Sequence, residues 1–218
     1  MNNYQFVTAV HGNEPLPTLA IAAMGEPQVV GNPVALARGK RFVDCDLNAS
    51  FGLSGTEYEQ TRARELRKLL NRKRKVVDFH TFSCESEPFA IVVDLALLPL
   101  ARRIGVQRVV YMRHNIKSGH ALINAYPGVS VEVGNHTDPS SFSRTQTVVQ
   151  RLREGSDEVS LRVYEVYGRI REQGNYKNFQ EKHGLVPVLY GERAYPDGGF
   201  YGLAAREITS TIKQMEEI

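Results

Sequence analysis

The chain has 218 residues, 42% hydrophobic and 23% charged, the balance of a globular protein rather than a disordered one. That length makes one ordinary domain, with room for a small appendage, and buries a sizeable core without disulfides. A net charge of +3, two cysteines (Cys45 and Cys84) that fit neither a disulfide framework nor a Cys-type zinc site, and the lack of a signal-peptide layout or membrane-length apolar run argue against a secreted disulfide scaffold or a membrane protein, so a cytoplasmic location is expected.

Gln5 to Val10 predicts a strand that ends on His11-Gly12-Asn13-Glu14. Leu16 to Met24 is apolar enough for a buried helix, with Pro15 and Pro17 near its start. Val29 and Val30 lead into a Gly31-Asn32-Pro33 turn and then a short extended piece, Val34 to Ala37. Ser54 to Asn71 reads as an amphipathic helix, with Ser54-Gly55-Thr56-Glu57 as its N-cap region and Leu66, Leu69 and Leu70 at helical spacing. The basic excess concentrates in Arg62 to Lys75, either a nucleic-acid or acidic-membrane patch or the solvated face of that helix. It lacks aromatic residues that would stack on bases, so no nucleic-acid partner is expected.

Lys75 to Phe79 and Phe89 to Val93 are β-branched-rich runs of the buried-strand type. Asp94 to Arg103 reads as a helix, Arg108 to Met112 and Val129 to Val133 as strands, and Ser141 to Glu154 as a further helix. Strands separated by helices favour a layered α/β fold with a largely parallel or mixed sheet. After about Glu158 the pattern turns β-rich: Val159 to Ile170, Gly184 to Tyr190 and Gly202 to Ile208 read as strands, with AYPDGG between the last two. The expected organisation is a main domain over 1–157 and a small β-rich C-terminal subdomain over 158–218.

The chemistry begins at His11 and Glu14, which lie just past a strand end and can turn toward one point. Imidazole nitrogen and carboxylate oxygen are both zinc donors, and catalytic zinc takes three protein ligands while leaving one position for water. Gly12 would let the backbone bend closely around the ion; the alternative for the whole segment is a polar surface turn. His80 ends the apolar run Val76-Val77-Asp78-Phe79, and ligands gather at such ends in open α/β sheets. With His11 and Glu14 it would complete the His₂Glu set found in carboxypeptidase A, with Asp78 orienting it; the alternative is an ordinary hydrogen-bonded histidine. Glu132 interrupts the strand Val131-Glu132-Val133-Gly134, where an unpaired carboxylate is costly. It reads either as the general base that activates water and then protonates a leaving amine, or as an outward-facing surface residue. In Arg41-Phe42-Val43-Asp44-Cys45-Asp46-Leu47-Asn48-Ala49, Arg41 offers bidentate donors for a carboxylate or oxyanion, or else a salt bridge to Asp44 or Asp46. Asn48 offers an amide for orientation.

Four segments in this order, HGNE, RFVDCDLN, VVDFHT and VEVG, resemble the signature of the succinylglutamate desuccinylase and aspartoacylase family, zinc-dependent deacylases with a carboxypeptidase-like α/β domain. The likeness runs from about Thr8 to Gly134 and more loosely into PVLYGERAY (Pro187 to Tyr195). It implies a three-layer carboxypeptidase-like zinc hydrolase domain with a mixed sheet over 1–157 and a small β-rich C-terminal appendage. It further implies one zinc ion per chain held by His11, Glu14 and His80, a catalytic Glu132, and Arg41 polarising the scissile carbonyl. Asn48 would contact a substrate carboxylate and Tyr195 would line the pocket. Two departures stand out. Ala49 replaces an arginine of the aspartoacylase pattern, and an arginine that precedes the catalytic Glu is missing from Gly119 to Ala125, although Arg113, Lys117 and His120 lie near. Loss of bidentate arginine contacts weakens recognition of a dicarboxylic amide.

The implied activity is hydrolysis of the amide bond of an N-acyl amino acid or a similar small molecule, with that amide as partner and no membrane contact; a homodimer is compatible with the sequence. The competing readings are a carboxypeptidase-like peptidase and a non-catalytic zinc-binding regulatory module. Ala49 keeps the latter open, and the intact Glu132 counts against it.

Overall fold

The computed structural model describes residues 3–113, 119–155 and 159–216. They form strands β1 (Tyr4–Thr8), β2 (Gln28–Val30), β3 (Lys75–Phe82), β4 (Phe89–Val92), β5 (Arg108–Tyr111), β6 (Gly128–Asn135), β7 (Arg162–Ile170), β8 (Val186–Val188) and β9 (Gly202–Glu207). The helices are α1 (Pro15–Ala23), α2 (Pro33–Ala37), α3 (Tyr58–Leu69), α4 (Leu98–Ile104), α5 (Leu122–Ala125), α6 (Ser140–Glu154) and α7 (Thr209–Glu216). The strands make one mixed sheet in the order β2-β1-β3-β6-β4-β5-β7-β9-β8. β2, β1, β3 and β6 run parallel; β4 is antiparallel to β6.

Strand alternation divides the sheet into two chemically different faces. On one, Val77 and Phe79 of β3, Ala90 and Val92 of β4, and Val129, Val131 and Val133 of β6 are buried in one cluster. Ile21 of α1, Ala101 and Ile104 of α4, and Val148, Val149 and Leu152 of α6 close over them. On the other face the register sets Asp78 beside Ser130 and His80 beside Glu132, with Ile91 and Phe89 of β4 opposite those two. Ala63 and Leu66 of α3, with Leu122 of α5, cover the start of that face around Val76. The result is the expected three-layer α/β arrangement with a mixed sheet, and it puts four polar side chains inside.

The segment expected as a separate subdomain continues the same sheet: β7 pairs with β5, β9 with β7 and β8 with β9. α7, which the sequence reading did not anticipate, packs on β7 and buries Ile212 in the central cluster. The boundary expected between 157 and 158 lies outside the described residues.

Val34 to Ala37 is not the extended piece its β-branched start suggested but helix α2. Asn32 caps it, its Oδ1 accepting from Ala35 N at 3.0 Å, and Pro33 fills the first helical position, where its missing N–H costs nothing. α3 begins later than Ser54, at Tyr58, and the N–H of its N-cap residue Glu57 donates to the Gln60 side chain. In its basic run Arg62 donates to the carbonyls of Gly31 and Val30 at the end of β2. No helix among the described residues is long and apolar enough to cross a membrane.

Gly12 has a different reason from the one the sequence suggested. A Cβ there would lie 2.1 Å from the carbonyl carbon of Ala35, so the turn after β1 is wedged against the backbone of α2. Gly12→Ala is therefore expected to lower stability by about 1–3 kcal/mol, the usual cost of overpacking. Thermal or denaturant unfolding measures it, and an unchanged midpoint would show that α2 yields freely.

Candidate metal centre and its cavity

The chain leaves β1 through Ala9, held at φ 49° in the left-handed region, a conformation costing an alanine about 1–2 kcal/mol. Gly31 N to Thr8 O at 2.7 Å and Asn32 N to Ala9 O at 2.8 Å keep it there. The following turn, closed by Glu14 N to His11 O at 3.2 Å, swings His11 and Glu14 to one side. Glu14 then occupies the N-cap position of α1 without a side-chain capping bond, and Pro15 is first in the helix. His80 reaches the same point from the C-terminal end of β3.

Glu14 is 1% exposed and lies between the two imidazoles. His11 Nδ1 is 2.7 Å from its Oε1, and His80 Nδ1 is 3.1 Å from its Oε2, which also accepts from Thr81 N at 3.0 Å. Burial would push this carboxyl up, but the two histidines outweigh it and hold it well below the usual range. The outer nitrogen of each ring meets another carboxylate: His80 Nε2 is 2.8 Å from Asp78 Oδ2, and His11 Nε2 is 3.2 Å from Asp46 Oδ1. Burial favours neutral His80, yet Asp78 and Glu14 raise its pKa well above the ordinary value. With a cation bound, Asp78 and Asp46 would keep the Nε2 protons and leave both Nδ1 lone pairs free to ligate, the role a carboxylate behind a ligating histidine plays. One donor atom from each of His11, Glu14 and His80 lies within 4.8 Å of the others, and all three residues are buried. Two imidazole nitrogens and a carboxylate oxygen, each braced from behind, fit a divalent ion of the zinc type.

Glu132 lines the same cavity, 8% exposed, and its Oε2 has no hydrogen-bond partner. Burial, against the pull of His80 and with repulsion from Glu14 and Glu192, pushes its carboxyl up to about 8. A buried, partnerless carboxyl is expensive, and here it faces a ready donor set.

Arg41 and Asn48 reach the cavity from the loop between α2 and α3. Arg41 Nη2 is 3.2 Å from Asp46 Oδ2 and 3.0 Å from His11 Nε2, so the salt bridge to Asp46 and the place beside the centre are one arrangement. Asn48 Oδ1 accepts from Leu122 N at 2.9 Å. This loop has little regular structure, and a residue missed by the sequence reading organises it. Glu59 of α3, fully buried, accepts from the N–H groups of Val43 (2.6 Å), Asp44 (3.0 Å) and Cys45 (3.1 Å) and from the Asn32 amide (2.9 Å). Burial alone would raise its pKa; the donors outweigh it and hold it below the ordinary value. Only its position in an amphipathic helix, on the buried stripe with Ala63 and Leu66, could have marked it.

Tyr195 completes the wall, its hydroxyl held well above the usual pKa by burial and by nearby Glu192 and Glu132. The cavity encloses about 90 Å³ and brings together all seven residues singled out in the sequence: His11, Glu14, Arg41, Asn48, His80, Glu132 and Tyr195. It adds Glu192, Thr81 and Ser130, to which the sequence reading gave no role. Glu192 Oε2 accepts from Ser83 N at 2.8 Å, and Arg193 N donates to Ser83 Oγ at 2.8 Å, stitching the segment after β8 to the end of β3. Of Gly119 to Ala125, Ala121 and Ile123 line the cavity, while His120 Nδ1 is 2.8 Å from Phe51 O. Arg113 is exposed, and Lys117 lies outside the described residues.

Residues 27–156, more than half of the chain, match the model of the succinylglutamate desuccinylase/aspartoacylase catalytic domain. That range holds Arg41, Asn48, His80 and Glu132; His11 and Glu14 precede it. A probable aspartoacylase of Prochlorococcus marinus strain AS9601 is 25% identical over 88% of this chain and 76% of its own length. One from strain MIT 9313 is 32% identical over 51% of this chain and 42% of its own length. Murine aminoacylase 3 superposes with a TM-score of 0.74 at 18% identity, over 95% of this chain and 96% of that one. Succinylglutamate desuccinylase from Vibrio cholerae gives 0.69 at 15% identity, over 95% and 82%. At these identities the two structures establish a shared fold.

Glu59→Ala, which strands three backbone donors, is expected to lose about 3 kcal/mol or more. Because the folded pKa is depressed, the carboxylate's contribution is complete above the unfolded value of about 4.3 and fades as pH falls through the lower folded value. The gap in unfolding free energy between wild type and Glu59→Gln should therefore be full at neutral pH and shrink below about pH 4. A gap independent of pH would remove the ionised carboxylate from this role.

Proposed function

The chain belongs to the succinylglutamate desuccinylase/aspartoacylase family, and on that premise we propose that it is a zinc-dependent deacylase that hydrolyses the amide bond of an N-acyl amino acid or a similar small molecule. The observation that carries this reading is the meeting, in one cavity, of a buried His–Glu–His donor set, a partnerless carboxyl at Glu132 and the guanidinium of Arg41. The names of the relatives, probable aspartoacylase and aminoacylase, support the same class of reaction.

His11, Glu14 and His80 would hold one zinc ion, oriented by Asp46 and Asp78. When bound, zinc supplies Lewis acidity toward water and toward an acyl carbonyl. In its ionised form, which a cation at the donor set would favour, Glu132 takes the proton of the attacking water at its free Oε2 and delivers it to the leaving amine nitrogen. Arg41 donates to the oxygen that gains charge as the carbonyl becomes tetrahedral, and Asp46 fixes the plane of its guanidinium. With its Oδ1 occupied by Leu122 N, Asn48 presents its NH₂ to a substrate carboxylate. The Tyr195 hydroxyl, on a half-buried side chain, stays neutral and serves as a further donor.

Glu132→Gln is expected to cut turnover of acetyl- and succinyl-amino acids by about 100-fold or more, while metal analysis still finds close to one zinc per chain. Unchanged turnover would take the proton-transfer role from Glu132. Zinc at about a hundred times its dissociation constant should add about 2.7 kcal/mol to the stability of metal-stripped protein. His80→Ala should abolish that increment; its persistence would place the metal elsewhere.

A further inference from the structure

The part of the cavity wall not occupied by the donor set and its partners is apolar. Ile91 and Val93 come from the end of β4, Met112 follows β5, Ala121 and Ile123 open α5, and Leu189 follows β8. Four separate segments thus bring aliphatic or thioether side chains to one small space. The charges in the cavity do not favour a second anion. Glu132 and Glu192 both line it, and among the described residues Arg41 is the only lysine or arginine that does. Arg41 is moreover already paired with Asp46. A carboxylate brought in as a substituent of the substrate would be stripped of water against an apolar wall without a guanidinium of its own, and such burial is costly. Enzyme sites that hold a carboxylate by design supply a bidentate arginine.

We infer that the site takes monocarboxylic N-acyl amino acids whose side chain and acyl group are uncharged and apolar, and that it discriminates against dicarboxylic amides. The inference rests on the deacylase reading of the cavity and narrows its substrate class. Ala121 is the specificity-determining position: it lines the cavity beside Leu122, the residue whose N–H holds Asn48. The selection follows from which groups are desolvated. An aliphatic side chain gains by leaving water for Ile91, Met112 and Ile123, whereas a carboxylate there loses its hydration and finds no counter-charge of its own among the described residues.

The test compares N-acetyl-Leu and N-acetyl-Met with N-acetyl-Asp and N-succinyl-Glu on the full zinc-loaded chain. The apolar amides are expected to exceed the dicarboxylic ones in kcat/KM by about 100-fold or more. Calorimetric binding of the same four compounds to Glu132→Gln reads the preference without turnover, with at least a tenfold gap in Kd expected on the order of one lost hydrogen-bonded contact. Ala121→Arg should narrow both gaps by favouring N-acetyl-Asp. Equal or better binding of the dicarboxylic compounds by the unaltered Ala121 protein would overturn the inference while leaving the hydrolase reading in place. Selective binding of apolar amides without any hydrolysis by wild type would uphold the pocket's preference and overturn the deacylase reading. Binding of none of the four would overturn the substrate class.

Discussion

A carboxylate buried between two imidazoles is the constraint on which the rest of this structure depends. Glu14 comes from the turn after β1 and His80 from the end of β3, so their contact ties together the two strands and the loop between them. An ionised carboxyl at 1% exposure is tolerable only with every lone pair engaged, and His11, His80 and the Thr81 N–H engage them. The histidines in turn need Asp46 and Asp78 behind them. Alternating charges arranged in this way stabilise one another and leave room at the centre for a cation.

Holding that centre requires support from elements that carry no chemistry. The loop bearing Arg41, Asp46 and Asn48 is short of regular structure, and its backbone N–H groups would be unpaired if Glu59 did not collect three of them. Asn32 joins this arrangement twice, capping α2 with its oxygen and reaching Glu59 with its nitrogen. The wedge of Gly12 under α2 and the bond from Gly12 N to Arg41 O at 3.0 Å lock the turn that carries His11 and Glu14 to the same loop. Precision at the site is thus distributed over α2, α3 and the turn between β2 and α2.

One face of the sheet serves packing alone, while the other carries both a second apolar cluster and the cavity. Residues of one parity on β3, β4 and β6 fill a continuous apolar core under α1, α4 and α6. Residues of the other parity, Asp78, His80, Ser130, Glu132 and Ile91, look into the cavity side. The polar groups cost the core little because the core lies on the other side of the backbone. The C-terminal strands lengthen the sheet and then send Leu189, Glu192 and Tyr195 back to the cavity, where Ser83 anchors them.

Local sequence was sufficient for whatever depends on nearest neighbours along the chain. Periodicity showed the strands around Val77 and Val131 and the helix of Ser141 to Glu154, because period 2 and period 3.6 arise from backbone geometry. The spacing in HGNE, the His ending VVDFH and the Glu inside VEVG showed the candidate ligands and base, because a polar group in an apolar run needs a partner. Asn32-Pro33 was misread as leading into extended chain since its capping partner, Ala35 N, becomes visible only once the turn is formed. Glu59 and Glu192 stayed silent because their partners are backbone N–H groups at least 14 and 109 residues away. Nor could the sequence say that the C-terminal strands extend the main sheet, or that Ala121, Ile123, Met112 and Leu189 share one wall. Which residues are candidates for the chemistry was legible in the chain; what surrounds them depended on long-range pairing that only the tertiary structure decides.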